Sequence, residues 1–381
     1  MQAVRHTRPG DTRYDGDAGQ SSRGKRDPGS AQGDDRQTLE LDLIAGSISS
    51  ADIAMFQGDE PEGRYPVVAG TEAIGRVRPQ EERSGSDRPG AGERSGGGTA
   101  AEPQRTVIWF QDRIRNRRAL PPGQRVLLFP RTACLRCSAC GAGLYDECEH
   151  PLRPGVNADG LFRDRFHARS VDLLPIPEEL GASTSLFAFD VATILRAFRQ
   201  LEIEERSTLL VFGAGVPGIL AAIVARRSGV TPILVDPVQP RLELARQLEV
   251  AQVVNPFAAH LPDDVLYATR GYLADAAIDT AGAENALAPL EELLAPESPL
   301  VLTAATAAAR IPARAVLRKQ LRVYGVSPRR EDYREALSLL PALQPQLAAL
   351  VSARLALSVV PETMQLMADA PESYLKMIVQ P

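Results

Sequence analysis

Residues 208–236 read TLLVF-GAGVPG-ILAAIVARRSGV-TPILVD. A short apolar run of strand type leads into Gly213-Ala214-Gly215-Val216-Pro217-Gly218. A helical stretch follows, and a second strand ends at Asp236, 18 residues after Gly218. A lone GxGxxG says little; between a strand and a helix, with an acid closing the next strand, it is the dinucleotide-binding fingerprint. Gly213, Gly215 and Gly218 permit a tight turn and let backbone approach a pyrophosphate at the positive end of the helix, with Val216 and Pro217 in its first turn. Asp236 is placed to accept from the adenosine ribose hydroxyls and to repel a 2′-phosphate, so NAD(H) is expected over NADP(H). Arg241, five residues further on, is taken with them as a cofactor-binding candidate. A glycine turn in a sheet that binds nothing is the alternative, which the flanking elements disfavour.

After about Pro175 the same alternation continues. Strand-like AQVVN, DAAIDTA and SPLVLTAA alternate with helical QPRLELARQL and ENALAPLEELLA, the pattern of a parallel α/β sheet. The first half differs. MQAVRH suits a first strand, QTLELDLIAGS alternates Leu39, Leu41 and Leu43, and TVIWF, RVLLFP and SVDLLPIP are short runs broken by Pro and Gly. That texture predicts a β-rich unit with long loops. Residues 8–37 and 78–106 contain no Val, Ile, Leu, Met or Phe. Such stretches bury too little apolar area to offset their ordering entropy and are expected to be mobile insertions.

All four cysteines fall within fifteen residues, as Cys134-x2-Cys137-x2-Cys140-x7-Cys148. A secreted disulfide scaffold would spread them out; this spacing suits one tetrahedral zinc. With every ligand a thiolate and no open position, the zinc is expected to be structural. The last interval departs from ferredoxin spacing.

Together these features resemble the medium-chain dehydrogenase/reductase superfamily, and within it the zinc-type alcohol and polyol dehydrogenases. YPVVAGTEAIGRV (65–77), GQRVLLFP (123–130), GVNADGLF (155–162), AIDTAGAENAL (277–287) and the final LKMIVQP carry the resemblance further. It implies an α/β fold. A GroES-like β-rich catalytic domain at 1–180 would carry the cysteine lobe at 134–148 and the two insertions. A doubly wound Rossmann NAD-binding domain would follow at 181–325, and a segment at 326–381 would return to the first domain. The active site would lie in the cleft, and homodimers or homotetramers are expected.

The likeness fails at the catalytic metal. The family's first ligand, a cysteine three residues before an Asp, is Ser49 here, ahead of Asp52. The His of its Gly-His-Glu triplet is Thr71, between Gly70 and Glu72. The third ligand falls near Phe189 or Asp190, and the proton-relay positions are Ala51 and Ala54. Neutral hydroxyls are poor zinc ligands, so the catalytic zinc is expected to be lost. Ser49, Asp52, Thr71 and Glu72 are then the candidate catalytic residues lining that position, with Ser49, Thr71 or backbone N–H groups as oxyanion donors. Asp52, Glu72 and Asp190 as ligands of a hard cation is a weaker alternative. Ala304-Ala305 stands where a Gly often admits the nicotinamide. His150, His167, Tyr65 and Tyr145 carry no pattern that separates catalysis from packing.

The remaining composition narrows the partners. The chain has 381 residues, a net charge of −5 and 5 % aromatics, which argues against nucleic acid or an anionic membrane. The start lacks an apolar leader, and the longest apolar run, Leu209–Ala225, contains three glycines and a proline. A cytoplasmic location and a small-molecule substrate are expected. The reading is an NAD(H)-dependent oxidoreductase acting on a small alcohol, carbonyl or conjugated compound. The competing reading is a non-catalytic scaffold or regulatory relative, whose cleft would be filled by side chains.

Overall fold

The computed structural model describes residues 2–16, 38–79, 120–258, 260–304 and 309–381. Most of the two weak insertions, TVIWF and Ala305 lie outside them. Residues 11–15 correct the expected loop at 8–37. There β1 (Ala3–Arg8) and β2 (Asp11–Asp15) pair antiparallel, and β1 also pairs with β4 (Val67–Val68). The pairing follows from Val4 and His6, which are fully buried, rather than from the apolar content of β2.

A larger sheet runs β15-β16-β3-β5-β6-β8. Its strands are β3 (Thr38–Ile48), β5 (Glu72–Val77), β6 (Arg125–Leu128), β8 (Leu173–Pro175), β15 (Val351–Ala356) and β16 (Lys376–Gln380); β7 (Arg165–Arg169) pairs with β3. β16 comes from the chain's end and lies antiparallel to β3, with Ile378 opposite Ser47 and Val379 opposite Gly46. On its other side β3 pairs Ser47 with Glu72. That register brings the beginning of β16 beside Glu72.

The second large sheet is wholly parallel, in the order β11-β10-β9-β12-β13-β14. Its strands are β9 (Thr208–Phe212), β10 (Thr231–Val235), β11 (Gln252–Val254), β12 (Ala276–Asp279), β13 (Pro299–Leu302) and β14 (Arg322–Gly325). β9 lies in the middle, and the chain leaves it first toward β10 and later returns on the β12 side. This is the doubly wound arrangement, whose crevice opens at the carboxyl ends of the strands where the order reverses. Val235 and Asp279 are both level with Phe212, so those ends are aligned and the glycine turn sits above them. The inner strands β9, β10, β12 and β13 are buried on both faces, hence their near-continuous apolar sequences. In ENALAPLEELLA only Leu290–Leu293 is helical.

Five helices matter for the site: α1 (Ser50–Gln57), α2 (Ala188–Leu201), α3 (Val216–Arg227), α4 (Gln239–Gln247) and α5 (Arg330–Leu347). Leu337, Leu340 and Leu343 of α5 share one core with Val191, Ile194 and Ala197 of α2 and with β9. Part of the segment after 325 therefore packs with the parallel sheet before β15 and β16 return to the other one. No helix among the described residues is long and apolar enough to cross a membrane.

Candidate active site and zinc lobe

Gly213 has φ +101°, a conformation that favours glycine. A Cβ on Gly218 would stand 1.8 Å from the Gly213 carbonyl oxygen, whereas one on Gly215 would meet only Pro217 Cδ at 3.9 Å. The turn is thus closed against the sheet and open outward. No side chain caps the start of α3, leaving its first N–H groups for an anion. This cradle fits a dinucleotide pyrophosphate. Asp236 is buried; its carboxylate accepts from Ala214 N and Val238 N, both at 2.7 Å. Each oxygen keeps a further lone pair for a ribose hydroxyl. The Arg241 guanidinium donates instead to the carbonyls of Pro371 and Tyr374, tying α4 to the segment before β16.

The four cysteine sulfurs lie within 4.8 Å of one another, the only such group of metal-ligating side chains among the described residues. The Cys134–Cys140 and Cys137–Cys148 separations are both 4.0 Å. A tetrahedral ion with Zn–S near 2.3 Å needs edges of about 3.8 Å, so one zinc fits. Arg169 fastens the lobe, donating to the Ala133 carbonyl while paired with buried Asp172.

The candidate catalytic residues form two separate groups. Ser49 caps α1: its hydroxyl accepts from Asp52 N at 3.2 Å, and Asp52 Oδ2 accepts from Ser49 N at 2.9 Å, a reciprocal capping box. Asp52 also accepts from the Ser49 hydroxyl (2.8 Å), the Thr71 hydroxyl (3.0 Å) and Gly70 N (3.1 Å). The Ser49 and Thr71 oxygens are themselves 2.6 Å apart. Burial raises the Asp52 carboxyl above its ordinary range, against these hydrogen bonds. This set braces α1 against the Gly70–Thr71 turn.

Glu72 belongs to the other group. It lines a cavity of about 500 Å³ together with Ser50, Tyr145, Thr303 and Tyr333, whereas Ser49, Asp52 and Thr71 do not reach that wall. Behind Glu72, Lys376 Nζ lies 3.0 Å from Glu72 Oε2 and 2.8 Å from Asp190 Oδ2. The three side chains are 5 %, 15 % and 14 % exposed for Lys376, Glu72 and Asp190. The Ser47 hydroxyl also donates to Glu72 Oε2. Burial would lower the lysine, but Asp190 and Glu72 reverse this and hold the ammonium above the ordinary lysine range. Burial pushes the Glu72 carboxyl up to about 7, with Lys376 opposing and Asp190 reinforcing the rise.

Nothing near Lys376 in the chain marks it as a site residue. It starts β16, 304 residues from Glu72. Tyr145, which carried no decisive pattern, reaches the cavity with Arg330 stacked 5.1 Å from its ring. Tyr65 instead donates to the Met55 carbonyl, and the imidazole of His150 lies outside the cavity wall.

Comparison with known proteins agrees with this geometry. Residues 217–342 match the zinc-binding dehydrogenase family. An uncharacterised zinc-type alcohol dehydrogenase-like protein of Haemophilus influenzae is 25 % identical over 86 % of this chain and 87 % of its own length. An L-threonine 3-dehydrogenase of Pyrococcus abyssi is 32 % identical, over 43 % of this chain and 47 % of its own. A structure assigned as a zinc-binding dehydrogenase from Sinorhizobium meliloti, bound to NADP, superposes with a TM-score of 0.76 at 22 % identity, covering 100 % of this chain and 99 % of that one. The parallel sheet, the glycine turn and the cysteine lobe agree with these likenesses: residues 217–342 carry a zinc-binding dehydrogenase domain, and the chain as a whole is similar to zinc-type alcohol dehydrogenase-like oxidoreductases.

Proposed function

We propose that this protein is an NAD(H)-dependent oxidoreductase that interconverts a small alcohol and its carbonyl, or reduces a conjugated acceptor, without a catalytic zinc. The observation that carries the metal-free reading is the state of the former ligand positions. The Ser49 and Thr71 oxygens are hydrogen-bonded to each other and to Asp52, and Asp190 holds an ammonium. Two O–H hydrogens serve three contacts there, so neither hydroxyl has a hydrogen free for a substrate oxygen. This departs from the expectation that Ser49 and Thr71 stabilise the oxyanion.

Glu72 takes that place in the proposal. Its Oε2 is engaged by Lys376 and Ser47, while Oε1 has no hydrogen-bond partner among the described residues and the side chain faces the cavity. When bound, the nicotinamide supplies or accepts the hydride. In the reducing direction the carbonyl oxygen gains the Glu72 proton; in oxidation the ionised carboxylate takes it back. A carboxyl titrating near 7 serves both roles at neutral pH. Gly213, Gly215, Gly218, Val216 and Pro217 would hold the pyrophosphate and Asp236 the adenosine ribose. An open cavity of about 500 Å³ is of the size small-molecule sites use and favours an enzyme over a scaffold.

The test is a parallel titration with NADH and NADPH read by nicotinamide fluorescence. Saturable NADH binding, tighter than NADPH, is expected from Asp236. Binding of neither removes the proposal, and preference for NADPH removes the role given to Asp236.

A further inference from the structure

The protein carries a net charge of −5, yet four arginines, Arg131, Arg153, Arg329 and Arg330, line the cavity. Two are matched by carboxylates. Arg153 pairs with Glu60 at 2.9 Å and with Glu62 at 3.3 Å. Arg330 pairs with Asp172 at 3.1 Å and Asp146 at 3.5 Å, and stacks on Phe129 and Tyr145. The side chains of Arg131 and Arg329 have no carboxylate partner among the described residues, and both are exposed. Glu72, the proposed proton carrier, is mostly buried and backed by Lys376. One cavity therefore holds both the proposed proton carrier and two unmatched guanidinium groups.

The two arginines come from distant parts of the chain. Arg131 follows β6 just before the cysteine lobe, and Arg329 immediately precedes α5. The cofactor's pyrophosphate does not account for them, because its cradle at Gly213–Gly218 contributes nothing to this cavity's wall. Guanidinium forks recognise carboxylate and phosphate oxygens by paired charge-assisted hydrogen bonds, and unbalanced positive charge at a cleft mouth concentrates anions there.

We infer that the substrate is a small hydroxylated compound bearing an anionic group, carboxylate or phosphate, held between Arg131 and Arg329 with its reacting carbon toward Glu72. This rests on the oxidoreductase reading above and deepens it by naming the substrate class.

The probes are D-gluconate, D-glucitol 6-phosphate and neutral D-glucitol, each titrated calorimetrically into the full chain saturated with NADH. Either anion is expected to bind at least roughly tenfold tighter than glucitol. The anion that binds identifies the class. Arg131→Gln and Arg329→Gln are each expected to weaken that anion by roughly tenfold, leave NADH affinity unchanged and reduce the salt dependence of anion binding. NADH binding without any anion preference, or anion binding unaffected by both substitutions, overturns this inference while the oxidoreductase reading stands. Absence of NADH binding overturns that reading first.

Discussion

Replacing Lys376 by Met removes one buried charge and leaves two. Asp190 and Glu72, about one-seventh exposed each, would lose an ammonium held at 2.8 and 3.0 Å. At an effective dielectric of about 20, unit charges 3 Å apart interact by about 5 kcal/mol, an upper limit of about 4 pH units on the carboxylate pair. Glu72 already titrates near 7 with the lysine present. Without it the opposing cation is gone, and Glu72 should keep its proton to a pH well above 7. Breaking a buried ion pair by deleting one partner costs about 3–5 kcal/mol, and here the cost should depend on pH with a definite sign. Unfolded carboxylates ionise near 4.5, so above that the variant's folded state binds one proton more than its unfolded state, and stability falls by about 1.4 kcal/mol per pH unit. In the native protein the Glu72 contribution falls only between 4.5 and about 7 and is then flat. The destabilisation should therefore grow by about 2–3 kcal/mol between pH 7 and 9. Urea denaturation followed by circular dichroism at both pH values, for the native protein, Lys376→Met and Lys376→Met/Asp190→Asn, measures it. The double variant, which lacks the Asp190 charge that reinforces the rise at Glu72, should show a smaller extra slope. A destabilisation equal at pH 7 and 9, or under about 1 kcal/mol at both, would show that the ammonium does not hold the pair.

Two further outcomes follow from other parts of the molecule. Purified protein should contain about one zinc per chain, and Cys137→Ser should release it and destabilise the lobe; plasma emission spectrometry showing unchanged zinc would refute the four-sulfur site. His6 is fully buried, with Nδ1 2.7 Å from Thr12 Oγ1 and no partner at Nε2, and burial lowers its pKa from 6.5 to about 4. The unfolded chain binds that proton first, so stability present above pH 6.5 should be lost as pH falls toward 4, by about 3 kcal/mol in all. His6→Asn should remove that part of the acid slope, and an identical slope in the variant would contradict it.

The glycine turn was legible because its chemistry is local: strand, turn, helix and acid lie within 29 residues and dictate one another. The cysteine lobe was legible for the same reason. Strand β2 was not, because its sequence DTRYD is polar and forms only by pairing with β1, whose inward residues supply the burial. Asp52 was legible as an acid but not in its role. The pattern Ser49-x-x-Asp52 serves equally as a cap, and only the coordinates show that it caps α1 and reaches back to Gly70 and Thr71. Arg241 sits where a cofactor contact is expected but spends its guanidinium on Pro371 and Tyr374, a pairing 130 residues distant that spacing cannot announce.

The hydroxyls at Ser49 and Thr71 and the ammonium of Lys376 form one electrostatic arrangement. Ser49 and Thr71 are neutral and hydrogen-bond to each other and to Asp52, which leaves Asp190 and Glu72 as the two carboxyls that share the ammonium of Lys376. Two carboxylates this close cannot both ionise without a nearby cation. A single ammonium balances one of them, and the other is left poised between its charged and neutral forms, the state a proton carrier requires. The lysine reaches this point because β16 joins β3 in a register that sets Ile378 against Ser47, itself opposite Glu72. The proposed proton carrier Glu72 is thus completed by β16, which supplies Lys376. Any displacement of that strand would withdraw the ammonium from Glu72 and from Asp190 at the start of α2 together, which ties the chemistry of the cleft to the docking of the C-terminal segment.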